Sequence, residues 1–247
     1  MKPVLVFALA AGIAFGQQPE IEVASVKPGD PGATAMNNHF SSDRFTLINY
    51  SLMTLLENAW SLREYQILNA PGWLRSERWT LEVKTSAPSN MQQKFQLLRP
   101  LLADRFQVSF HRETRMLPVY LLVVAKGGPK LQKTRDDEPQ GTRYGNMIVG
   151  TKYDITRLAN DLSGNLNLPV VDKTGLTGNY DIDLKWTPDA AQLDFGDIRP
   201  PADPPPFDPN RPEIFTAIKE QLGLELKAEK GPVEVIVIDH VERPSAN

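Results

Sequence analysis

The chain has 247 residues, of which 41% are hydrophobic, so it is long enough to bury a sizeable core. Its 27 Lys and Arg residues are outnumbered by 30 Asp and Glu residues, and the net charge of −3 provides no basic surface of the kind that nucleic acids require. The absence of cysteine excludes disulfides, thiolate metal sites and thiol catalysis. We therefore expect a core that is stable without covalent cross-links and no nucleic-acid partner.

The first residues have the pattern of a secretory signal peptide. Lys2 precedes an apolar run over residues 4–15, and the small residues Ala14 and Gly16 have the spacing of a cleavage site. The run is shorter than the roughly 20 residues that a membrane-spanning helix needs. We expect residues 1–16 to be a signal peptide, and the mature protein to be exported to a bacterial periplasm or to the extracellular space without a membrane span.

Two short strands are predicted before any helix. Residues 20–27 alternate as half-buried strands do, and residues 44–47 have the same strand character. Residues 46–126 then predict a first structural unit. Its elements in chain order are a helix at 51–59, strands at 65–68 and 79–83, a helix at 91–102, and a pair of strands at 106–111 and 118–124.

Residues 150–240 predict the same order of elements a second time. These elements are a helix at 154–162, strands at 169–171 and 180–186, a helix at 214–222, and a hairpin of strands at 224–226 and 233–238. Both orders read α-β-β-α-β-β. The predicted fold class is therefore α+β with two tandem units, built from mostly antiparallel sheets with helices packed on one face.

Local signals predict where the second helix of each unit begins. Ser89 precedes Gln92 by three residues and Asn210 precedes Glu213 by three residues, which is the spacing of a capping box. Pro212 also stands at an early helical position, where its missing N–H has no cost. We expect both helices to open with capping-box chemistry that satisfies their first backbone N–H groups.

The domain boundaries follow from the same pattern. We expect a first repeat with its N-terminal strands at 17–130, a linker with the first strand of the second unit at 131–149, and a second repeat at 150–247. Prolines are concentrated in residues 187–211. Because proline has a fixed φ and no backbone N–H, this segment is predicted to be an extended loop inserted into the second repeat.

Asp172 begins the sequence Asp-Lys-Thr-Gly directly after an apolar run. It resembles the phosphorylation motif of P-type ATPases, and its Lys-Thr-Gly part resembles the third box of serine β-lactamases. The continuation of the ATPase motif is absent, and no serine has a lysine three residues later. Residues 69–72, Asn-Ala-Pro-Gly, stand at the corresponding place of the first unit, so residues 172–175 are interpreted as a turn.

Few other side chains suggest chemistry. His39, His111 and His240 lack the spacing of a helical metal pair, so we expect no metal site and no cofactor. Trp73 directly follows a Pro-Gly turn and is the one candidate binding residue, because an exposed aromatic ring can contact sugars and peptides. No nucleophile and base have a recognisable spacing, and we predict no catalytic residue.

Five stretches carry a resemblance that covers nearly the whole chain after residue 20. They are IEVASVKP, YQILNAPGWLRSERWTLEVK, LLADRFQVSFHRETRMLPVYLLVVAKGGPKL, LPVVDKTGLTGNYDIDLKWTPD and FTAIKEQLGLELKAEKGPVEVIVIDHVERPSAN. They resemble an uncharacterised exported bacterial family, domain of unknown function 3738, a Solibacter-type paralogous family expanded in soil acidobacteria. Similar domains attached to membrane metallopeptidases of the β-lactam-sensor type imply an extracytoplasmic sensing or binding role. Residues 215–239 are also similar to the short N-terminal domain of secretins and TonB-dependent receptors, which implies protein partners.

These observations predict an exported, non-catalytic envelope protein that acts as a protein or peptide interaction or sensing module. An exposed sheet edge is the expected contact surface, because strand addition derives affinity from backbone groups alone. Two alternatives remain open. One is a cell-wall or peptide-acting enzyme that brings two of His111, Glu113 and Asp172 within hydrogen-bond reach. The other is small-ligand binding in a crevice between the two units, bordered by Trp73.

Overall fold

The computed structural model describes residues 19–30, 35–134, 141–144, 146–187, 208 and 210–244. The strands are β1 (Ile21–Pro28), β2 (Asn37–Phe40), β3 (Arg44–Ser51), β4 (Ile67–Leu68), β5 (Arg78–Thr85), β6 (Ser109–Val124), β7 (Gln132–Lys133), β8 (Gly141–Tyr144), β9 (Met147–Tyr153), β10 (Val170–Asp172), β11 (Tyr180–Lys185) and β12 (Leu224–His240). The helices are α1 (Leu52–Trp60), α2 (Trp73–Ser76), α3 (Met91–Phe106), α4 (Ile155–Leu166) and α5 (Ile214–Ala217), with a 3₁₀ turn at Glu64–Gln66 and a π-helical turn at Ile218–Leu222. None of these helices is long and apolar enough to cross a membrane.

The strands form three four-stranded sheets. The two outer sheets have the strand orders β1-β5-β3-β2 and β7-β11-β9-β8, and every pair in them is antiparallel. The central sheet has the order β10-β6-β12-β4, in which only the short outer strands β10 and β4 run parallel to their neighbours. Helices packed against mostly antiparallel sheets confirm the predicted α+β class.

The long antiparallel pair of β6 and β12, here called the central ribbon, connects the two halves of the molecule. Its register is continuous from Leu224 opposite Val124 to Ile238 opposite Phe110. The pairs of strands predicted at 106–111 with 118–124, and at 224–226 with 233–238, are therefore wrong. Each predicted pair is one continuous strand, and the two strands pair with each other across the chain.

The direction of the backbone groups explains why Pro118 and Pro232 do not interrupt these strands. Tyr120 donates its N–H to the Pro169 carbonyl at 2.8 Å, on the side of β10. Even-numbered residues of β6 therefore direct their N–H and C=O groups away from β12. On β12 the even-numbered residues likewise direct these groups away from β6, because the Glu234 carbonyl accepts a hydrogen bond from Gln66 Nε2 at 3.0 Å. Both prolines are even-numbered, so neither removes a hydrogen bond from the ribbon.

The two larger hydrophobic cores pack on one face of the central ribbon, and a smaller cluster packs on the other face, formed by Val119, Val233, Val235 and Val237. Paired residues of antiparallel strands point to the same face. Near one end, Ile236 and Ile238 belong to the core of the first half, with α1, α3 and the sheet of β3. Near the other end, Leu122 and Leu224 belong to the core of the second half, with α4, α5 and the sheet of β9. The middle of the ribbon lies between the cores, and Met116 is 63% exposed there.

Helices α3 and α5 begin at residues 91 and 214 as predicted, but their N-terminal caps differ from the predicted ones. The capping box of α3 is formed by Asn90 and Gln93, one residue later than predicted, with both reciprocal hydrogen bonds at 2.9 Å. Helix α5 begins after Glu213 without a side-chain cap. Asn210 is not that cap, because it lies three residues before the N-cap position Glu213, in a turn where its own N–H donates to Asp208 Oδ1 at 3.0 Å.

Residues 131–149, predicted as a linker with the first strand of the second unit, contribute strands to the second outer sheet. β7 pairs with β11, and β8 pairs with β9, so β7, β8 and the beginning of β9 are the parts of this range that belong to the outer sheet. β7 and β8 are short and polar, which is why their pattern was interpreted as a linker. The predicted signal peptide at 1–16 and most of the predicted Pro-rich loop lie outside the described residues.

Candidate functional site

Asp172 is held within its own turn at the end of β10. Its Oδ1 accepts hydrogen bonds from Thr174 N–H and from Thr174 Oγ1, both at 2.8 Å. Gly175 has a φ of 69°, where a side chain would be strained. The backbone of the corresponding residues in the first half differs, because the positive φ lies at Asn69 while Gly72 has a φ of −57°. The common turn geometry expected for the two segments is therefore wrong in this detail.

The structure does not bring the three acid–base candidates together. His111 and Glu113 lie on one face of β6, where the first contacts Asp239 at 2.8 Å and the second contacts Arg115 at 2.6 Å. Asp172 lies opposite Leu122, eleven positions farther along the same strand, which is about 35 Å. An active site that combines Asp172 with either of the other two is therefore wrong.

Trp73 is half-buried against the first core, and the C-terminal segment covers one side of its ring. The guanidinium of Arg243 lies 4.9 Å from the ring centroid and forms a bidentate ion pair with Glu77, with contacts of 2.7 and 3.0 Å. A cation held over an indole face occupies the surface that a ligand would need. The two cavities described below are both lined by other residues.

Glu57 was not identified from the sequence. It lies on α1 near the ion pair between Arg75 and Glu64, whose Nε and Oε1 atoms are 2.5 Å apart. Burial, and to a lesser extent the Glu64 carboxylate, raise the pKa of Glu57 from its ordinary value of 4.5 to about 7. Burial also raises the pKa of the neighbouring Tyr65. A single glutamate on an amphipathic helix does not indicate a raised pKa in the sequence, because the shift depends on burial and on Glu64, which follows the helix.

The outer edge of β12 has an open segment in its middle. Leu226, Ala228 and Lys230 direct their N–H and C=O groups outwards, and Pro232 directs its C=O outwards. Within the described part of the chain no backbone group pairs with them. We call residues 226–232 of this strand the β12 edge. It is about 20 Å long.

Both ends of the β12 edge are closed by other parts of the chain. At one end, Lys130 donates its N–H to the Leu222 carbonyl at 2.9 Å. At the other end, β4 pairs with Ile236 and Val237, and Gln66 covers the Glu234 carbonyl. The exposed residues between these closures leave room for a short extended segment.

A cavity of about 680 Å³ lies beside the closed end near Leu226. Its lining residues are Ala125, Gly127, Gly128, Lys130, Phe215, Thr216, Lys219, Glu220, Gly223, Glu225 and Leu226. Gly223 has a φ of 64°, and a Cβ at this position would clash with the Gly128 carbonyl oxygen and would lie 2.8 Å from Lys130 N. The shape of the cavity therefore depends on the glycine at this position.

β6 has a corresponding open segment, which differs from the β12 edge in the side chains packed beside it. Arg112, Thr114 and Met116 direct their backbone groups outwards, and we call residues 112–118 the β6 edge. At one end β10 pairs with β6, and before the other end the Glu242 N–H, which follows β12, donates to the Phe106 carbonyl of α3 at 2.8 Å.

Near the closed end of the β6 edge, the side chain of Phe110 is covered by the Trp60 ring. Phe110 follows the closing residue Phe106 by four positions, as Leu226 follows Leu222. Its ring packs edge to face against Trp60 with centroids 5.1 Å apart, and the Arg99 guanidinium lies 6.0 Å from the Trp60 ring. A second described cavity, of about 400 Å³, lies elsewhere, between β1 and α3.

The comparisons with known proteins give a family and no activity. A family model described as a protein of unknown function (DUF3738) matches residues 53–241. No curated protein and no solved structure matches the chain. Within the described ranges, no group of three or more His, Asp or Glu residues could hold a metal ion.

Proposed function

Because the chain belongs to the DUF3738 family of proteins of unknown function, we propose its role from its surface, as an exported module that binds an extended peptide segment. The β12 edge is the observation that carries this proposal. Strand addition to such an edge supplies main-chain hydrogen bonds without requiring a particular peptide sequence. The partner is an extended segment of an envelope protein, and the binding involves no catalytic step.

The β12 edge suits a transient interaction. Each backbone hydrogen bond contributes about 0.5–1.5 kcal/mol net, and ordering a peptide offsets much of that gain. The edge offers outward groups on alternate residues only, so backbone pairing alone gives weak binding. Pro232 removes one outward N–H and Lys230 adds a charge, and both features oppose aggregation through the same edge.

A tandem duplication of the fold is part of this proposal. It is supported by the equivalent strand orders of the two outer sheets, β1-β5-β3-β2 and β7-β11-β9-β8. Asn49 and Lys152 also have positive φ values of 64° and 56°, each two residues before the helix cap at Ser51 or Asp154. The two edges of the central ribbon are then copies of one ancestral edge.

Export rests on the pattern of residues 1–16. Expression in a bacterial host, followed by fractionation and N-terminal sequencing, tests it. We expect the periplasmic or secreted fraction to contain a chain that begins near Gln17. A chain that keeps Met1 and stays in the cytoplasmic fraction would contradict export, but would leave peptide binding to be decided separately.

Selection from a display library of random 12-residue peptides tests peptide binding directly. The enriched peptides are then measured by calorimetry against the wild type and two variants. Ala228→Pro removes an outward N–H but no hydrogen bond of the ribbon, so we expect at least a tenfold loss of affinity with a similar melting temperature. Ala228→Val keeps the N–H and is expected to bind like the wild type.

Two outcomes would contradict the proposal. One is a library without enriched peptides, and the other is peptides that bind Ala228→Pro as tightly as the wild type. Thr114→Pro is the matched change on the β6 edge. It is expected to leave binding unchanged if the β12 edge is the site.

A further inference from the structure

We propose that the cavity beside Leu226 is a side-chain pocket that selects peptides with one large apolar residue near the end of the added strand. This inference rests on the proposed binding of a peptide to the β12 edge. It adds a specificity determinant, because backbone pairing alone does not distinguish one sequence from another.

Leu226 connects the edge to the cavity. It is the first residue of the β12 edge, and its side chain lines the cavity. Phe215 lies on the same face of the ribbon, since its ring packs against Tyr120 with centroids 5.3 Å apart and Tyr120 is even-numbered like Leu226. A peptide residue that pairs with Leu226 points its side chain to this face, because paired residues on neighbouring strands share a face. That side chain therefore enters the cavity between Leu226 and Phe215.

The closed end of the edge fixes the register of the peptide. The Lys130 N–H occupies the Leu222 carbonyl, and the Lys130 Nζ donates to the Glu220 carbonyl at 2.7 Å. These bonds hold residues 127–130 against the π-helical turn Ile218–Leu222, after which β12 begins at Leu224, so an added strand has no strand backbone to pair with beyond this point. The strand must end or turn there, so the residue opposite Leu226 is its terminal pairing residue.

The wall of the cavity contains an uncommon backbone conformation. Lys219 and Glu220 belong to the π-helical turn Ile218–Leu222. Such turns are rare and occur frequently at functional sites, because the widened helix leaves carbonyl groups without their usual partner. Here the Glu220 carbonyl is used to bind Lys130, which positions the loop that closes the edge.

The lining of the cavity favours an apolar residue over a charged one. Phe215 and Leu226 provide apolar surface, whereas Lys219, Glu220 and Glu225 contribute charges of both signs. No single sign of charge dominates, so a charged side chain would lose hydration without an assigned partner. Burial of a large aliphatic or aromatic side chain is expected to increase affinity by about 10- to 100-fold.

The peptides enriched by the selection described above provide the probe. We expect them to share one large apolar position, and its replacement by Ala in the tightest peptide to lower affinity by about 10- to 100-fold. Lys219→Trp places a large ring at the exposed wall of the cavity, and is expected to cause a similar loss for the original peptide. It should cause little loss for the Ala-substituted peptide. Lys219→Ala is the matched control, which removes the charge and leaves the cavity open.

The results separate this inference from the proposed function. Peptides that lose affinity for Ala228→Pro but show no shared apolar position, or are indifferent to Lys219→Trp, would overturn the pocket and leave edge binding intact. Peptides that are indifferent to Ala228→Pro would overturn edge binding. An equal loss in Lys219→Trp and Lys219→Ala would assign the effect to the lysine charge, and would also overturn the apolar pocket.

Discussion

The β6 edge and the β12 edge occupy matching places in the central ribbon but differ in what lies beside them. The β12 edge begins four residues after Leu222 and the β6 edge begins six residues after Phe106, and each of these two carbonyls accepts an N–H from a distant segment. Near the closed end of the β6 edge, Phe110 is packed under Trp60. Near the closed end of the β12 edge, Leu226 borders a cavity of about 680 Å³.

This difference separates two contributions to binding. The strand order of the sheet determines which backbone groups are available, and it makes them available on both edges. The side chains packed nearby determine whether an added strand also finds a pocket, and they leave one beside the β12 edge. A surface with both features can select among extended peptides, whereas a backbone edge alone cannot.

The largest expected effect comes from the close approach that shapes the cavity. Gly223→Val combines a positive φ with a clash against the Gly128 carbonyl and Lys130 N. We expect it to lower the free energy of unfolding by about 3–5 kcal/mol, measured by denaturant titration. Gln107 ends α3 with a φ of 51° on the β6 side, and Gln107→Gly should change stability by less than about 1 kcal/mol. Equal changes in the free energy of unfolding for Gly223→Val and Gln107→Gly would show that the closed ends of the two edges do not differ.

A smaller effect is expected at Glu57, near the β4 end of the β12 edge. Its pKa is raised from 4.5 to about 7, so the folded state holds a proton that the unfolded state releases, and stability falls as pH rises from about 4.5 to about 7. Glu57→Gln should therefore raise the free energy of unfolding by on the order of 2 kcal/mol at pH 8. It should have little effect at pH 4. If Glu57→Gln stabilised the protein equally at pH 4 and pH 8, the raised pKa of Glu57 could not be the cause.

Peptide affinity serves as the functional control for Glu57. If the residue only stabilises or destabilises the fold, Glu57→Gln should leave the affinity of selected peptides unchanged between pH 6 and pH 8. A change in affinity over this range would place the Glu57 cluster in the binding site and would extend the β12 edge past Gln66.

The smallest effects are expected in the turn after β10, which closes the β6 edge. Gly175→Val should cost about 1–2 kcal/mol because its φ is 69° and no neighbouring atom lies near a Cβ there. Asp172→Asn keeps an oxygen that can accept from Thr174, and should change the free energy of unfolding by less than about 0.5 kcal/mol. Loss of peptide binding in Asp172→Asn with an unchanged melting temperature would restore a functional role for this carboxylate.

The sequence predicted the local elements better than their pairing. Helical spacing identifies α1, α3 and α4, since their apolar faces repeat every three or four residues. The ribbon was not predicted because its pairing joins residues 100 or more positions apart, and because Pro118 and Pro232 resemble strand breaks. Only the parity of the outward groups shows that both prolines are tolerated.

Two predictions about the site remain predictions. An exposed sheet edge was the expected contact surface, while Trp73 was the expected binding residue. Arg243, which lies 170 positions later in the chain, covers one side of the Trp73 ring. The cavity depends on Gly223 approaching residues 127–130, and such a contact between distant segments leaves no local pattern.

Residue-resolved amide hydrogen exchange on β12 is the most direct test of the central claim. In the free protein we expect slow exchange at Lys227 and Glu229, whose N–H groups point into the ribbon, and fast exchange at Leu226, Ala228 and Lys230. A selected peptide should slow exchange at the second group and leave the first unchanged. Uniformly slow exchange in the free protein, or no added protection by a bound peptide, would contradict an open β12 edge that binds by strand addition.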